Sequence, residues 1–297
     1  MRSSIDGMTR AELRDLIGYR ALHHLPVAAA SRIGAVLGAG MARRAYPSAD
    51  ARIAALMRRL RPDLAASAKA LEAAQVRFWG HVGRIYAEYC VLHKILSDDR
   101  ISIDDPATLD AVLADGRPVI ATFVHLGNWE SCGSQLALRA PGRVCGLSNP
   151  MPANRVQAQI ATAQRARIPA KVLTFDANVW RHALAHLQQP GGILLVAADE
   201  QPQGRASIPT FGRTLDPAAN VHRIARIAAR IGAIILPLFS ERLPGARFRT
   251  RVLPPLEVSR QQRGRVDEQP LVARLEALYT PAVIDLLDQW FGLLDYR

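Results

Sequence analysis

From residue 99 onward, short apolar runs rich in β-branched residues alternate with segments of helical periodicity, and no other feature constrains the fold as strongly. Strands are expected at 119–124, 144–147, 171–174, 193–197 and 233–239, with helices at 127–139, 152–167, 177–188 and 217–231. The last few runs are apolar throughout, as in strands covered on both faces. The pattern predicts an α/β fold: a three-layer domain with a mixed, mostly parallel central sheet flanked by helices. A strand at 247–252 reads as antiparallel, 253–265 as a surface loop, and a helix from 267 to about 291 closes the chain.

Residues 9–98 read differently. Apolar residues recur at three- and four-residue steps, as in Ile53, Leu56, Met57 and Leu60, and Pro26, Pro47 and Pro62 sit where helices restart. The segment 62–96 fits one long helix, with Phe78, Trp79, Tyr86 and Tyr89 as core aromatics. The division expected is a helical, membrane-associating extension at 1–98 packed on an α/β core at 99–297, the two forming one structural unit.

Charge separates the two parts as well. The chain carries a net +12, and residues 1–61 hold 11 arginines against Asp6, Glu12, Asp15 and Asp50. A basic, apolar amino-terminal segment suits an anionic membrane surface or an acidic protein partner. Aromatics are only 6% and no nucleic-acid motif is present, which argues against nucleic acid. The apolar stretch 16–41 is interrupted by Arg20 and Arg32, so an interfacial amphipathic helix or hairpin is expected rather than a membrane span. Three cysteines, Cys90, Cys132 and Cys145, match no metal or disulfide spacing and suit a reducing compartment. His182 and His186 have helical ligand spacing but no third ligand, so no metal is expected.

The segment that carries chemistry is Val119-Ile-Ala-Thr-Phe-Val-His125-Leu-Gly127-Asn128-Trp129-Glu130. His125 falls at the carboxyl end of an apolar strand, where open α/β sheets place their active sites. Gly127 permits a tight turn, Asn128 is a good N-cap, and Glu130 enters the first helical turn. Strand, turn and helix fold back on themselves, so Glu130 is expected beside His125, fixing the tautomer of a general base able to deprotonate a hydroxyl.

His-Leu-Gly-Asn-Trp-Glu resembles the H-x4-D/E motif of the lysophospholipid-type acyltransferases, and in detail the bacterial lipid A biosynthesis lauroyl/myristoyl acyltransferase family, which includes phosphatidylinositol mannoside acyltransferases. Further blocks agree in order: Asn154 and Arg165; Ala198-Asp199-Glu200-Gln201; Pro209-Thr-Phe211-Gly212-Arg213; then Asn220, Arg223 and Arg226, and Ile235-Leu-Pro237. The likeness runs from about residue 10 to 257. It differs in carrying Glu130 where many members have Asp, and in lacking their clearer hydrophobic anchor.

The resemblance implies O-acyl transfer from an acyl thioester of acyl carrier protein or coenzyme A to a hydroxyl of a membrane lipid, a lipid A precursor or related glycolipid. No bound cofactor is implied, and the setting is the cytoplasmic face of the bacterial inner membrane. His125, Glu130 and Glu200 are the expected catalytic set, Glu200 supporting the imidazole or binding the acceptor. Asn128, Asn154, Arg165, Asp199, Phe211, Gly212 and Arg213 are expected to bind substrate, Arg165 through a phosphate. The acidic acyl carrier protein suits a basic docking face. No Gly-x-Ser-x-Gly elbow occurs, so direct attack by the acceptor is expected over an acyl-enzyme. The rival readings are a thioester or phosphoester hydrolase and an inactive membrane-binding homologue.

Overall fold

The structure is a computed structural model that describes residues 8–149, 155–201, 204–260 and 266–296. Helices α1 (Arg10–His23), α2 (Val27–Leu37), α3 (Arg43–Ala45), α4 (Pro47–Leu60), α5 (Pro62–Ala65), α6 (Ala68–Tyr89) and α7 (Leu92–Ser97) come first, with a π-helical turn, Gly38–Ala42, between α2 and α3. The expected single helix over 62–96 is thus three. Ser67 ends the first by capping α6, its hydroxyl accepting from the amide of Ala70, and the chain turns again after Tyr89.

The α/β part follows. It contains β1 (Ile101–Ile103), α8 (Pro106–Ala114), β2 (Val119–Phe123), α9 (Glu130–Arg139), β3 (Val144–Ser148), α10 (Arg155–Arg165), β4 (Lys171–Thr174), α11 (Val179–Leu187) and β5 (Ile193–Ala197). Next are a short hairpin of β6 (Glu200–Gln201) and β7 (Arg205–Ala206), then α12 (Asn220–Ile231), β8 (Ile234–Leu243), β9 (Arg247–Val252) and α13 (Gln269–Asp285). Seven strands form one sheet in the order β1-β9-β8-β2-β5-β3-β4. Every pairing is parallel except β8 with β9, the strand read as antiparallel from the sequence. Neither β1 nor the β6–β7 hairpin was expected. Both are too short to show a period. The closing helix ends at Asp285, and two 3₁₀ turns, Leu287–Gln289 and Phe291–Leu294, take the chain back over the carboxyl end of β2, where the Phe291 amide donates to the His125 carbonyl at 2.9 Å.

Alternation along β2 explains the layers. Val119 and Ala121 join Leu136 and Ala137 of α9 on one face, while Ile120 and Val124 join α12 and α13 on the other. That second cluster also contains Ile53, Met57, Phe78 and Val82, so the amino-terminal helices and the sheet share one core. Helix α2 crosses α6 on glycines. A Cβ on Gly83 would lie 2.0 Å from the Gly34 carbonyl oxygen, and one on Gly38 would lie 2.2 Å from that of Trp79. These glycines let the two backbones touch, which accounts for Gly34 and Gly38.

The topology fixes where a site can form. The chain leaves β2 towards β3 and leaves β5 towards β8, in opposite directions along the sheet. A crevice opens at such a reversal, beyond the carboxyl ends of β2 and β5.

Candidate active site

Register delivers the two central residues. Phe123 of β2 pairs with Ala197 of β5, and the ladder runs one step further as the Ala198 amide donates to the Phe123 carbonyl at 2.7 Å. Both chains then extend two residues past that pair, bringing His125 opposite Asp199. The His125 Nδ1–H donates to Asp199 Oδ1 at 2.8 Å, and the His125 amide donates to Oδ2 at 2.9 Å. Trp290, from the carboxyl-terminal turns, donates its indole N–H to the same Oδ2 at 2.9 Å. Asp199 is 2% exposed, so these three donors replace water for its charge.

Glu200, one residue on, stands 3.5 Å from His125 Nε2 and accepts from the Asn149 side chain at 2.8 Å. The imidazole therefore lies between two carboxylates, Asp199 on Nδ1 and Glu200 on the side of Nε2. Burial works against its charged form, but the charge and hydrogen bond of Asp199, then the charges of Glu200 and Asp295, prevail and push its pKa up to about 9. Burial, reinforced by the like charge of Asp199, raises the Glu200 carboxyl above the usual range. Aromatic rings wall the imidazole: Trp129 lies edge-on at 4.6 Å and Phe123 at 5.4 Å.

Glu130 does a different job from the one its spacing suggested. It opens α9 and turns away from His125. Its Oε1 accepts from Arg165 Nη2 at 2.6 Å and Nε at 3.1 Å, and from the Tyr89 hydroxyl. Burial alone would raise this carboxyl, but Arg165 and Tyr89 hold it below the usual carboxylate range. Arg165, read as a phosphate ligand, is taken up by Glu130, by the Ser148 hydroxyl at 2.7 Å and by Tyr89. The pair ties α9, α10 and α6 together behind the histidine. The carboxylate that orients Nδ1 is Asp199, a residue expected to bind substrate.

Gly127 makes the turn after His125 with φ at +58°, and a Cβ there would sit 2.3 Å from the Ser240 carbonyl oxygen. Asn128 does not cap α9. It is buried, and its amide donates to Glu88 at 3.0 Å. Phe211 packs its ring near Trp290 and Tyr296, at 6.0 and 5.8 Å. Gly212 turns with φ at +87°. Arg213 stacks 3.6 Å above the Tyr296 ring and donates to the carbonyls of Ala206, Ser207 and Thr210, so it braces its own loop. Asn154 lies outside the described residues. Asn220 anchors α12 to the end of β5 by donating to the Ala197 carbonyl at 3.1 Å. Burial pushes the Cys132 thiol up to about 12, leaving no thiolate at neutral pH. His186 Nε2 hydrogen-bonds the Arg143 carbonyl.

Sequence reasoning missed Tyr89, Glu88, Arg242 and Trp290. Each lies far along the chain from the residue it supports. Only the aromatic spacing of α6 marked Tyr89, and it was assigned to the core.

The arrangement is a buried acid on Nδ1, an imidazole, and a second carboxylate 3.5 Å from Nε2 at the carboxyl end of the sheet, without a hydroxyl or thiol on Nε2 among the described residues. It suits proton removal from an incoming hydroxyl. No curated protein matches the chain at a significant level. The family model for bacterial lipid A biosynthesis acyltransferases matches residues 15–295, nearly the whole chain, and the chain belongs to this acyltransferase family.

Proposed function

We propose that the protein moves a fatty acyl group from an acyl thioester, carried by acyl carrier protein or coenzyme A, to a hydroxyl of a membrane glycolipid of the lipid A precursor type. One observation carries the reading: Asp199 holds His125 Nδ1 at 2.8 Å and leaves Nε2, with Glu200 at 3.5 Å, as the ring nitrogen that can serve as base. In this reading the neutral Nε2 takes the acceptor's proton as its oxygen attacks the thioester carbonyl. The tetrahedral intermediate collapses, the C–S bond breaks, and the imidazolium returns the proton to the leaving thiolate. Atoms balance without an acyl-enzyme. Glu200 steadies the imidazolium on the substrate side, and Glu130 with Arg165 holds the frame.

The setting proposed is peripheral or monotopic, on the cytoplasmic face of the inner membrane. Among the described residues no helix is long and apolar enough to cross a membrane. The amino-terminal helices instead expose Ile17, Ile33, Val36, Leu37, Met41 and Tyr46 beside Arg10, Arg14, Arg20, Arg32 and Arg44. This mixture supports an interfacial seat, apolar groups entering the acyl boundary and guanidinium groups meeting phosphates.

The test incubates membranes from cells expressing wild type or His125→Ala with labelled acyl carrier protein thioester or acyl-coenzyme A, followed by intact-lipid mass spectrometry. One added acyl mass on a lipid with wild type only supports the proposal and names the acceptor. Free fatty acid without an acylated lipid, from either donor, overturns transfer in favour of hydrolysis.

A further inference from the structure

Arg84 of α6, Arg242 at the end of β8 and the β8–β9 turn, Leu243 to Ala246, line a half-open cavity of about 290 Å³. The acid serving this region is Glu88, fully buried. Its two oxygens accept from Arg242 at 2.5 and 2.7 Å, from the Ser31 hydroxyl at 2.8 Å and from Asn128 at 3.0 Å. Four donors saturate a carboxylate. Arg84 gets none of it. Its Nη1 donates to the neutral Ser31 hydroxyl at 2.8 Å, and among the described residues no carboxylate lies within ion-pair distance of it. Burial, Arg242 and Arg32 all disfavour its charge, Glu88 alone opposing them. A half-buried guanidinium with unused donors thus faces a cavity beside a second guanidinium, with an exposed Arg32 nearby.

We propose that this cavity binds a phosphate group, distinct from the crevice at His125 and separated from it by the Gly127–Asn128 turn. The planar fork of Arg84 suits phosphate oxygens, while Arg242, its own fork held by Glu88 and its Nε by His81, adds positive charge at the wall; a dianionic phosphomonoester offsets the charges of Arg84 and Arg32 that Glu88 leaves uncompensated. The phosphate comes from a lipid headgroup or from a soluble phosphate ester. A filled site also steadies the catalytic loop: Glu88 holds Asn128, and Gln289 joins the Arg242 amide at 2.8 Å to the Gly127 amide at 3.2 Å.

The test is calorimetric titration of the full chain in non-ionic detergent with inorganic phosphate. Arg230→Gln, an exposed arginine on α12, controls for general basicity. Wild type and Arg230→Gln bind one phosphate per chain; Arg84→Gln weakens binding about tenfold or more, as loss of a charge-assisted hydrogen bond requires. Should Arg84→Gln fail to fold, Pro244→Glu, which sets a carboxylate at the exposed rim, gives the same loss. Equal affinity in wild type and the folded cavity variant, or no phosphate binding by wild type, overturns the proposal. Flotation on phosphatidylcholine vesicles with and without phosphatidic acid separates the sources. If phosphatidic acid retains wild type better than Arg84→Gln, the phosphate is a headgroup. If retention is equal while inorganic phosphate still discriminates, it belongs to a soluble ester.

Discussion

Asparagine at position 199 would keep the shape of the side chain and replace one acceptor oxygen by a donor. Three N–H groups converge on this carboxylate: Nδ1 of His125 on one oxygen, the His125 amide and the Trp290 indole on the other. An amide oxygen in the second position satisfies two donors, whereas in the first it satisfies one. The asparagine therefore turns its NH₂ towards Nδ1. The imidazole has to accept there, which drives its proton to Nε2, the atom required as a base. The fold loses one charge-assisted hydrogen bond, about 1.5–3 kcal/mol. The reaction loses its base, and the same tautomer error in a Ser-His-Asp triad lowers kcat by about 10⁴. The assay is acyl transfer from labelled thioester to membrane lipid at pH 8, beside a thermal melt of each protein. A well-folded Asp199→Asn protein that retains activity within about tenfold of wild type would refute the assignment of Asp199 as the residue that sets the tautomer.

Other perturbations separate the remaining roles. Glu130→Gln breaks the buried pair with Arg165 and is expected to destabilise the protein by about 3 kcal/mol, visible as a melting temperature lower by at least about 5 °C. Because the charges of Glu130 and His125 act on each other, it moves the break in the pH profile to lower pH by less than Glu200→Gln does, and a shift as large as that of Glu200→Gln would return Glu130 to the imidazole. In wild type, kcat/KM should rise about tenfold per pH unit up to a break near 9, because His125 is raised to about 9 and must lose its proton to act. Glu200→Gln removes a negative charge 3.5 Å from Nε2, which disfavours the imidazolium and moves the break to lower pH. Even at a water-like dielectric this is about 1.2 kcal/mol, or nearly one pH unit; rates from pH 6 to 10, corrected for spontaneous thioester hydrolysis, check it. The raised pKa also stabilises the fold fully below about pH 6.5, the unfolded value, and that contribution fades as pH rises through 9. The melting temperature of wild type relative to His125→Gln should fall over that window. Finally, Gly83→Ala drives a methyl into the Gly34 carbonyl, so its urea midpoint should drop, while Gly18→Ala, with nothing within 4 Å inside α1, should raise it slightly.

The sheet was legible because its central strands are apolar on both faces and bounded by turns, as at 119–124 and 193–197. Periodicity also separated the helical first third from the rest. It overran at Ser67, where a cap interrupts an otherwise continuous apolar stripe. It passed over β1, whose three residues alternate between partial and full exposure. The histidine was legible for a local reason: strand, glycine turn and helix lie within a dozen residues. Its partner was not. Reading an acid five positions away as the orienting group assumes that the turn folds the helix onto the strand end. Instead, α9 departs from the crevice, and Glu130 at its first position meets Arg165 arriving from α10 and Tyr89 from α6.

The true orienting acid was present in the sequence in a form that spacing along the chain does not express. Two parallel strands paired in register and broken at the same level present their next residues side by side. An acid two positions past the end of β5 therefore meets a histidine two positions past the end of β2, however many residues intervene. The Asp199-Glu200 block stands at a strand end, but choosing between its members requires the pleat. Successive side chains near a strand's end point to opposite sides, so Asp199 takes the buried side with Trp290 while Glu200 faces Asn149 and the open crevice. In this chain, the spacing from histidine to Glu130 describes a frame that positions the loop. The acid on Nδ1 is supplied by the neighbouring strand, and strand order, more than motif spacing, identifies the residue that holds this imidazole.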